Sequence, residues 1–256
     1  MAEQAANNPT MHRFYVPLAA EVGQAIELPE TVAKQCHRVL RLNAGEKVAL
    51  FDGSGQESIL ILTSVTPRSA AGVVESISFP AVEPSTPLEI VVSMPRQEKW
   101  EWILQKCTEI GVSGFQPIQT ARSVAQFSDR DWPAKEQRWI RIATEAAEQC
   151  GRTRIPTIHH PLTLRVLLGQ GNPGIALHTG GAYPGLAALG QHAPLPCRVL
   201  VGPEGGLDEE EIGKIAAAGW RLASMGPRTL RCETAAIAAC TILLERRGEM
   251  GQESRR

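Results

Sequence analysis

Short apolar runs separated by turn residues dominate residues 11–79. The runs are rich in β-branched and aromatic residues, a pattern typical of strands joined by turns. They read HRFYV, KVALFDGSGQ, ESILILTSV and AAGVVESISF. The segment TVAKQCHRVLRL between them has helical spacing instead, and its apolar side comprises Val32, Val39, Leu40 and Leu42. The pattern predicts a small β-barrel or sandwich with one helix.

The pattern of apolar and polar positions changes at Leu88. The preceding segment 80–87, PAVEPSTP, contains three prolines and resists both helix and sheet, so we interpret it as a linker. Beyond it, the predicted strands are LEIVVSM, FQPIQ, GIALH, CRVLV and RLASM, and the predicted helices are RQEKWEWILQKCTEIG, DWPAKEQRWIRIATEAAEQCG, DEEEIGKIAAAG and ETAAIAACTILLERRG. This alternation predicts an α/β domain over 88–250 with a mostly parallel sheet, following a first domain at 11–79.

Composition limits the partners only weakly. The chain has 256 residues, 43% of them apolar and 21% charged, and its net charge of −1 neither predicts nor excludes a nucleic-acid partner. The six cysteines show neither a C-x-x-C pair nor zinc-ligand spacing with histidine, which predicts reduced thiols and no metal site. Because we find neither a signal-peptide pattern nor a membrane-spanning apolar run, we expect a soluble, cytoplasmic protein.

The run VGPEGGLDEEEI at 201–212 places three glycines between an apolar strand and an acidic helix start. Glycine lets the backbone approach a ligand closely. A phosphate loop would carry Lys and Ser or Thr after its glycines, and the spacing does not match the dinucleotide fingerprint. The nearby carboxylates therefore favour a neutral or cationic ligand. The alternative is a tight turn alone, with Asp208 as N-cap and Glu211 as its capping-box partner.

Glycine-bearing loops follow the last three predicted strands. They are HTGGAYPG after GIALH, GPEGG after CRVLV, and GPRTLRCETA after RLASM. Ligands of open α/β sheets bind beyond the carboxyl ends of the strands, so we expect these loops to converge on a pocket. A pocket lined by backbone suits a purine edge and a ribose better than a phosphate. Glycine is common in turns, so chance is the alternative explanation.

The loops VGPEGG at 201–206 and MGPRTLRCETA at 225–235 resemble the cofactor-binding loops of the RsmE family of 16S ribosomal RNA uridine-N3 methyltransferases, which belong to the SPOUT superfamily. Further blocks resemble the same family in the same order, and they are HRFYV at 12–16, HRVLRLNAGEKVALFDGSG at 37–55, ILQKCTEIGVSGFQPIQTARSV at 103–124 and RIATEAAEQCGRTRIP at 141–156. The resemblance extends over nearly the whole chain. Small departures from the family pattern are Thr229, Cys232 and the segment RQEK at 96–99.

This resemblance implies a fold, a cofactor and an assembly. Family members join a PUA-like β-barrel to a SPOUT domain with a carboxyl-terminal trefoil knot, bind S-adenosylmethionine and work as homodimers. It implies that 11–79 binds 16S ribosomal RNA or the small subunit and that 88–250 transfers the methyl group. The residues expected to bind the cofactor are Leu177, His178, Gly180, Val201, Gly202, Pro203, Glu204, Gly205, Gly206, Met225, Gly226, Leu230, Arg231, Glu233, Thr234 and Ala235.

Methylation at uridine N3 requires an imide to lose its proton, so we expect a base or a cationic stabiliser near the target. Arg231 is the first candidate because a guanidinium near the uracil carbonyls favours the imidate; capping of nearby carbonyls is the alternative. Arg122 ends a predicted strand and is a second candidate. Glu145 and Arg152 lie on one predicted helix face and form either a polar site or an intrahelical network.

RNA contact is expected from a basic patch made of Arg13, His37, Arg38 and Arg41, with a solvated helix face as the alternative. Two other functions share part of this sequence pattern. A SPOUT ribose 2'-O-methyltransferase would share the cofactor loops but in most forms lacks the amino-terminal barrel. A non-catalytic RNA-binding module is disfavoured by the intact GPEGG and LRCETA loops.

The last predicted helix, at 233–248, is apolar on more than one face. A single sheet could not cover all of this surface, so the pattern is consistent with a two-fold interface. A central position in the core of a monomer explains the periodicity equally well. The family resemblance favours the homodimer.

Overall fold

The computed structural model describes residues 11–125, 127–179, 182–190 and 197–251. The chain forms two compact units. The first extends to Glu83 and includes Glu148–Arg154, and the second comprises Pro84–Ala147 together with the chain from Ile155 onward. The change of unit after Glu83 falls within the segment that we interpreted as a linker.

The segment Glu148–Arg154 packs with the first unit, whereas the sequence favoured an unbroken second domain. Polar contacts explain the difference. Oε1 of Glu148 accepts a hydrogen bond from the backbone N–H of Tyr15 at 2.9 Å. The Nε and Nη2 atoms of Arg152 donate to Oε2 of Glu83 at 3.0 and 2.7 Å. Contacts between residues so far apart in sequence leave no local pattern by which they could be predicted.

Five strands, along which buried and more exposed side chains alternate, form the first unit. They are β1 (Arg13–Tyr15), β2 (Ala25–Leu28), β3 (Lys47–Phe51), β4 (Glu57–Val65) and β5 (Ala70–Ser78). The sheet has the order β1-β3-β4-β5-β2, and it is mixed because β1 and β3 are parallel while the other pairs are antiparallel. Alternate side chains such as Leu60 and Leu62 are buried in the core, as expected for strands with one apolar face.

The helical segment of the first unit is less regular than its sequence pattern indicates. It consists of α1 (Glu30–Lys34) and a π-helical turn over Gln35–Leu40, and it ends at Arg41, whose φ of 56° lies in the left-handed region. Val32 is buried, as predicted. The prediction is wrong for Val39, which is 70% exposed. The wider turn changes the angular spacing of the side chains and directs this one into solvent.

The second unit is built around a seven-stranded parallel sheet. Its strands are β6 (Leu88–Ser93), β7 (Gly114–Gln119), β8 (Thr157–Ile158), β9 (Leu162–Thr163), β10 (Ile175–Leu177), β11 (Cys197–Val201) and β12 (Arg221–Ala223). The order is β12-β10-β11-β6-β7-β8, with β9 also paired to β7, and every pair is parallel. The predicted α/β class with a parallel sheet is confirmed.

Helices cover both faces of this sheet. They are α2 (Gln97–Ile110), α3 (Trp132–Cys150), α4 (Leu164–Leu168), α5 (Leu186–Gly190), α6 (Glu209–Ala217) and α7 (Cys232–Glu245). Ile90 and Val92 of β6 join one core with α2 and α7, whereas Val91 joins a second core with α4 and α6. Burial on both faces explains the nearly continuous apolar runs of the strands. Within the described ranges, none of the helices combines the length and apolarity needed to cross a membrane.

Candidate active site

A cavity of about 270 Å³ lies at the carboxyl ends of β10, β11 and β12. Its wall is formed by the three glycine-bearing loops that follow those strands. The structure therefore brings together the loops that we predicted to converge on a pocket. The lining residues are Leu177, His178, Thr179, Val201, Gly202, Pro203, Glu204, Gly205, Gly206, Leu207, Met225, Arg228, Thr229, Leu230, Cys232 and Ala235.

Most of the residues expected to bind a cofactor are in this lining. Those that belong to the same loops but do not line the cavity are Gly226, Arg231, Glu233 and Thr234. Gly180 lies outside the described residues. The cavity adds residues that were not among those expected to bind the cofactor, namely Thr179, Leu207, Arg228, Thr229 and Cys232. Each stands within a few positions of an expected residue, so the continuous loop was the signal that could have found it.

The second loop of the cavity, residues 202–207 after β11, requires glycine at two positions for different reasons. Gly206 has a φ of +71°, a region that side chains with a Cβ rarely adopt, and its N–H donates to the carbonyl of Pro203 at 2.9 Å. Gly202 has no such conformation, but a Cβ at this position would lie 3.1 Å from Cγ of the buried Leu207. The chain can therefore turn tightly at this point and present bare backbone to the cavity.

The segment after this loop holds α6 and the neighbouring strand end in place. Asp208 accepts a hydrogen bond from the N–H of Glu211 at 2.8 Å, and Glu211 accepts one from the N–H of Asp208 at 3.1 Å, which is the predicted capping box. The other oxygen of Glu211 accepts the N–H of Ala121 at 2.7 Å. Nη1 of Arg122 donates to the carbonyl of Gly205 at 2.9 Å. The tight turn and the ligand cavity thus coexist in one loop.

An ion-pair cluster borders the cavity. Nζ of Lys99 lies 2.9 Å from Oε1 of Glu204 and 3.6 Å from Oε2 of Glu233. Burial is the largest single influence and disfavours ionised Glu204, but the hydrogen bond from Lys99, a backbone hydrogen bond and the charges of Lys99 and Arg96 together hold the pKa of Glu204 below its ordinary value. The hydrogen bond to Glu204 raises the pKa of Lys99. Burial, and secondarily the two carboxylates, raises the pKa of Cys232 to about 12, so this thiol stays protonated at neutral pH.

The chemistry of the wall indicates the class of ligand. An ionised carboxylate favours a ligand that carries positive charge. Backbone N–H and C=O groups, interspersed with apolar side chains such as Val201 and Leu230, suit the edge of a base and the rings beside it. In the part of the chain that the structure describes, no group of three His, Cys, Asp or Glu side chains is arranged to hold a metal ion.

Residues 82–244 match the family model of the RNA methyltransferase domain, a span that contains every residue of the cavity wall. The chain belongs to the RNA methyltransferase family. The chain is 28% identical to ribosomal RNA small subunit methyltransferase E of Bacillus subtilis over 247 residues, which cover 91% of this chain and 96% of the relative. It is 33% identical to the Synechocystis protein of the same name over 217 residues, covering 81% and 70%.

A solved structure in this family has the same overall fold. Ribosomal RNA small subunit methyltransferase E from Neisseria gonorrhoeae, bound to S-adenosyl methionine, superposes with a TM-score of 0.84 at 29% identity and covers 92% of this chain and 97% of its own. The family resemblance drawn from the loop motifs is therefore confirmed.

Two of the arginines predicted to be catalytic in this family member lie next to the cavity loops. Arg122 follows β7 and contacts Gly205 through its guanidinium. Arg231 immediately precedes α7, and its carbonyl accepts the N–H of Ala235 at 2.8 Å. Its side chain is exposed, and among the described residues the guanidinium has no hydrogen-bond or ion-pair partner. Both side chains are therefore accessible to a substrate that approaches these loops.

The other two predicted catalytic residues do not join them. Helix α3 ends at Cys150, and Gly151, with a φ of +86°, turns the chain away, so Glu145 and Arg152 do not share a helical face. Arg152 belongs to the first unit, is 5% exposed and pairs with Glu83. Glu145 is exposed on α3. Neither residue lines the cavity.

The basic patch predicted to bind RNA is divided in the structure. His37, Arg38 and Arg41 are exposed on the π-helical turn and at its end. Arg13 is half-buried instead, forms an ion pair with Glu57, and donates to two backbone carbonyls at 3.1 Å. Desolvation by burial lowers the pKa of Arg13. This arginine stabilises the first unit, and the exposed part of the patch consists of the other three residues.

Proposed function

We propose that this protein transfers a methyl group from S-adenosylmethionine to N3 of a uridine in 16S ribosomal RNA of the small ribosomal subunit. The observation that carries the proposal is the cavity whose backbone-lined wall is built from VGPEGG and MGPRTLRCETA. The common name of the relatives and the S-adenosyl methionine bound to the gonococcal structure support it. A ribosomal substrate places the enzyme in the cytoplasm.

The residues of the cavity fit this cofactor. When bound, S-adenosylmethionine supplies an activated methyl group on a sulfonium cation. The ionised Glu204 complements that positive charge, and the backbone of 202–206 is open to the adenine edge and ribose because its three glycines carry no side chains. Leu177 and Leu230 supply apolar wall for the adenine ring.

The two exposed arginines have the chemistry to prepare the target base. N3 of uridine carries a weakly acidic proton that must leave before the nitrogen attacks well. Guanidinium groups that donate to the adjacent uracil carbonyls stabilise the resulting imidate. The hydrogen bond of Arg122 to Gly205 and the position of Arg231 immediately before α7 support these roles, because both place the residue beside a loop of the cavity.

The proposal is tested by incubating the full-length protein with labelled S-adenosylmethionine and small ribosomal subunits, and then mapping the modified nucleotide by mass spectrometry. We expect one methyl group on N3 of a uridine in 16S ribosomal RNA. A methyl group on a ribose 2'-oxygen would identify a ribose methyltransferase instead. Retained RNA binding without any methylation would identify a non-catalytic RNA-binding module.

We further propose that the first unit is a PUA-like β-barrel and that the second is a SPOUT domain with a trefoil knot. The mixed five-stranded sheet supports the first assignment. The strand order β12-β10-β11-β6 supports the second, since it returns the late strand β11 to the side of β6, and α7 packs against both of those strands.

Reversing exposed charge on the first unit is expected to weaken RNA binding. Arg38→Glu with Arg41→Glu removes two candidate phosphate contacts, so the slope of log affinity against log salt should fall by about two. Affinity for S-adenosylmethionine should not change. Filter binding over a salt series measures the effect, and Lys34→Glu with Arg68→Glu is the matched double reversal in the same unit. Equal loss in both variants, or none in the first, contradicts a specific RNA patch.

We also propose that the protein is a homodimer formed through α7. Ile237 and Ile242 on this helix are only partly buried in a single chain, and Ile242 borders an open depression with Ala187. Light scattering should report about twice the chain mass of 27.7 kDa. Ile242→Glu should give a monomer, whereas Val166→Glu, at another exposed apolar position, should not. A wild-type protein that is monomeric at micromolar concentration and still methylates RNA rules the dimer out.

A further inference from the structure

Lys99 connects two loops of the cavity without lining it. It lies in the first turn of α2, where its backbone N–H donates to the carbonyl of Arg96 at 3.0 Å. Its ammonium group contacts Glu204, a wall residue of the second loop, and Glu233, the second residue of α7. The third loop leads directly into α7. The ammonium group of Lys99 therefore forms ion pairs both with the second loop and with the helix start that follows the third loop.

The two carboxylates depend on this ammonium group. They lie close enough to share one cation, and Oε2 of Glu233 is buried with no hydrogen-bond partner in the described part of the chain, so the ion pair with Lys99 at 3.6 Å compensates its charge. Both carboxylates also act electrostatically on Cys232, the first residue of α7. Without the cation, two like charges would repel each other and one would remain uncompensated in a largely buried position.

We propose that Lys99 is a positioning residue that holds the second and third loops together and sets the position of the Glu204 carboxylate in the cavity. The inference rests on the proposed function in taking S-adenosylmethionine as the ligand. Lys99 acts through Glu204 and Glu233 and does not itself contact the bound molecule. Its contribution is to keep the cavity wall in its binding geometry before the ligand arrives, which lowers the cost of binding.

An exposed ion pair that only stabilises α2 would have different consequences, and Lys106 provides the comparison. Lys106 lies on the same helix, and its side chain is 31% exposed against 29% for Lys99. Its ammonium group pairs with Glu109 and lies over the ring of Trp102, both on α2. Lys106→Met therefore removes a surface ion pair of α2 without touching either loop. Lys99→Met keeps the aliphatic stem and removes the charge, and Lys99→Arg keeps the charge.

The first measurement is calorimetric titration of the full-length protein with S-adenosylmethionine and S-adenosylhomocysteine. We expect Lys99→Met to weaken binding about tenfold, an effect of the size of one charge-assisted hydrogen bond. Lys99→Arg should restore most of the affinity, and Lys106→Met should bind like the wild type. Affinity for ribosomal RNA should be the same in all variants. Unchanged affinity in Lys99→Met, or equal weakening in Lys106→Met, overturns the inference.

The second measurement is amide hydrogen exchange without ligand, which is independent of the cofactor. Lys99→Met should speed exchange in both 202–207 and 229–236, and Lys106→Met in neither. In a double-mutant cycle, Glu204→Gln should cost less affinity in the Lys99→Met background than in the wild type. Additive losses, or loops whose exchange does not respond, overturn the inference. Absence of heat in the wild type refutes the proposed cofactor, while the exchange measurement still decides the role of Lys99.

Discussion

Replacing Gly206 by valine is expected to weaken the binding of S-adenosylmethionine strongly while the protein remains folded. Gly206 has a φ of +71°, and a β-branched residue is strongly disfavoured there. Strain of this kind costs about 1–3 kcal/mol, so the loop should adopt another conformation and the affinity should fall by up to roughly 100-fold. A Cβ at this position would meet no atom within 4 Å, so the effect comes from the backbone conformation and not from a clash. Calorimetry measures it.

Gly171 provides a matched control because its φ is +67° and the space around it is also open, yet it is not part of the cavity. Gly171→Val should lower the melting temperature and leave cofactor affinity unchanged. Gly206→Asn should retain part of the affinity, since asparagine tolerates the left-handed region better than valine does. If Gly171→Val also lost cofactor binding, the loss in Gly206→Val would reflect general unfolding and not the geometry of the loop.

The architecture of the second unit could be predicted from sequence because its pattern is local. Strands that are buried on both faces have continuous apolar sequences such as CRVLV. The helices between them have their own start and stop signals, including the capping box of Asp208 and Glu211. Glycine at the strand ends likewise marked the loops of the cavity. Each of these signals depends on residues within one element or one turn, which is the range over which a single sequence is informative.

Contacts between distant residues explain what the sequence did not predict. Glu83 pairs with Arg152, and Lys99 pairs with Glu204, although neither pair belongs to one periodic element. Arg152 therefore looked like a member of a helical polar face when it is a structural cation of the first unit. The exposed position of Val39 was missed for another reason, because a π-helical turn changes the side-chain spacing within an otherwise helical pattern.

The largest effect on turnover is expected from Arg231→Ala. The guanidinium is exposed at the start of α7 and does not line the cofactor cavity, and we propose that it contacts the target base. Removing a donor that stabilises developing negative charge lowers kcat by on the order of 100-fold or more. We expect that loss in methylation of small subunits, with the affinity for S-adenosylmethionine unchanged. Arg165→Ala, at an exposed arginine on α4, should have the activity of the wild type.

The pH dependence of this variant distinguishes imidate stabilisation from simple substrate binding. If Arg231 favours loss of the N3 proton, its removal matters most where the uracil is protonated and least where hydroxide removes the proton unaided. The ratio of wild-type to Arg231→Ala rates should therefore decrease as pH rises, and Arg231→Lys should recover part of the rate. A constant ratio at all pH values, or a raised KM for S-adenosylmethionine with unchanged kcat, would show instead that Arg231 holds the RNA or the cofactor and that another group stabilises the imidate.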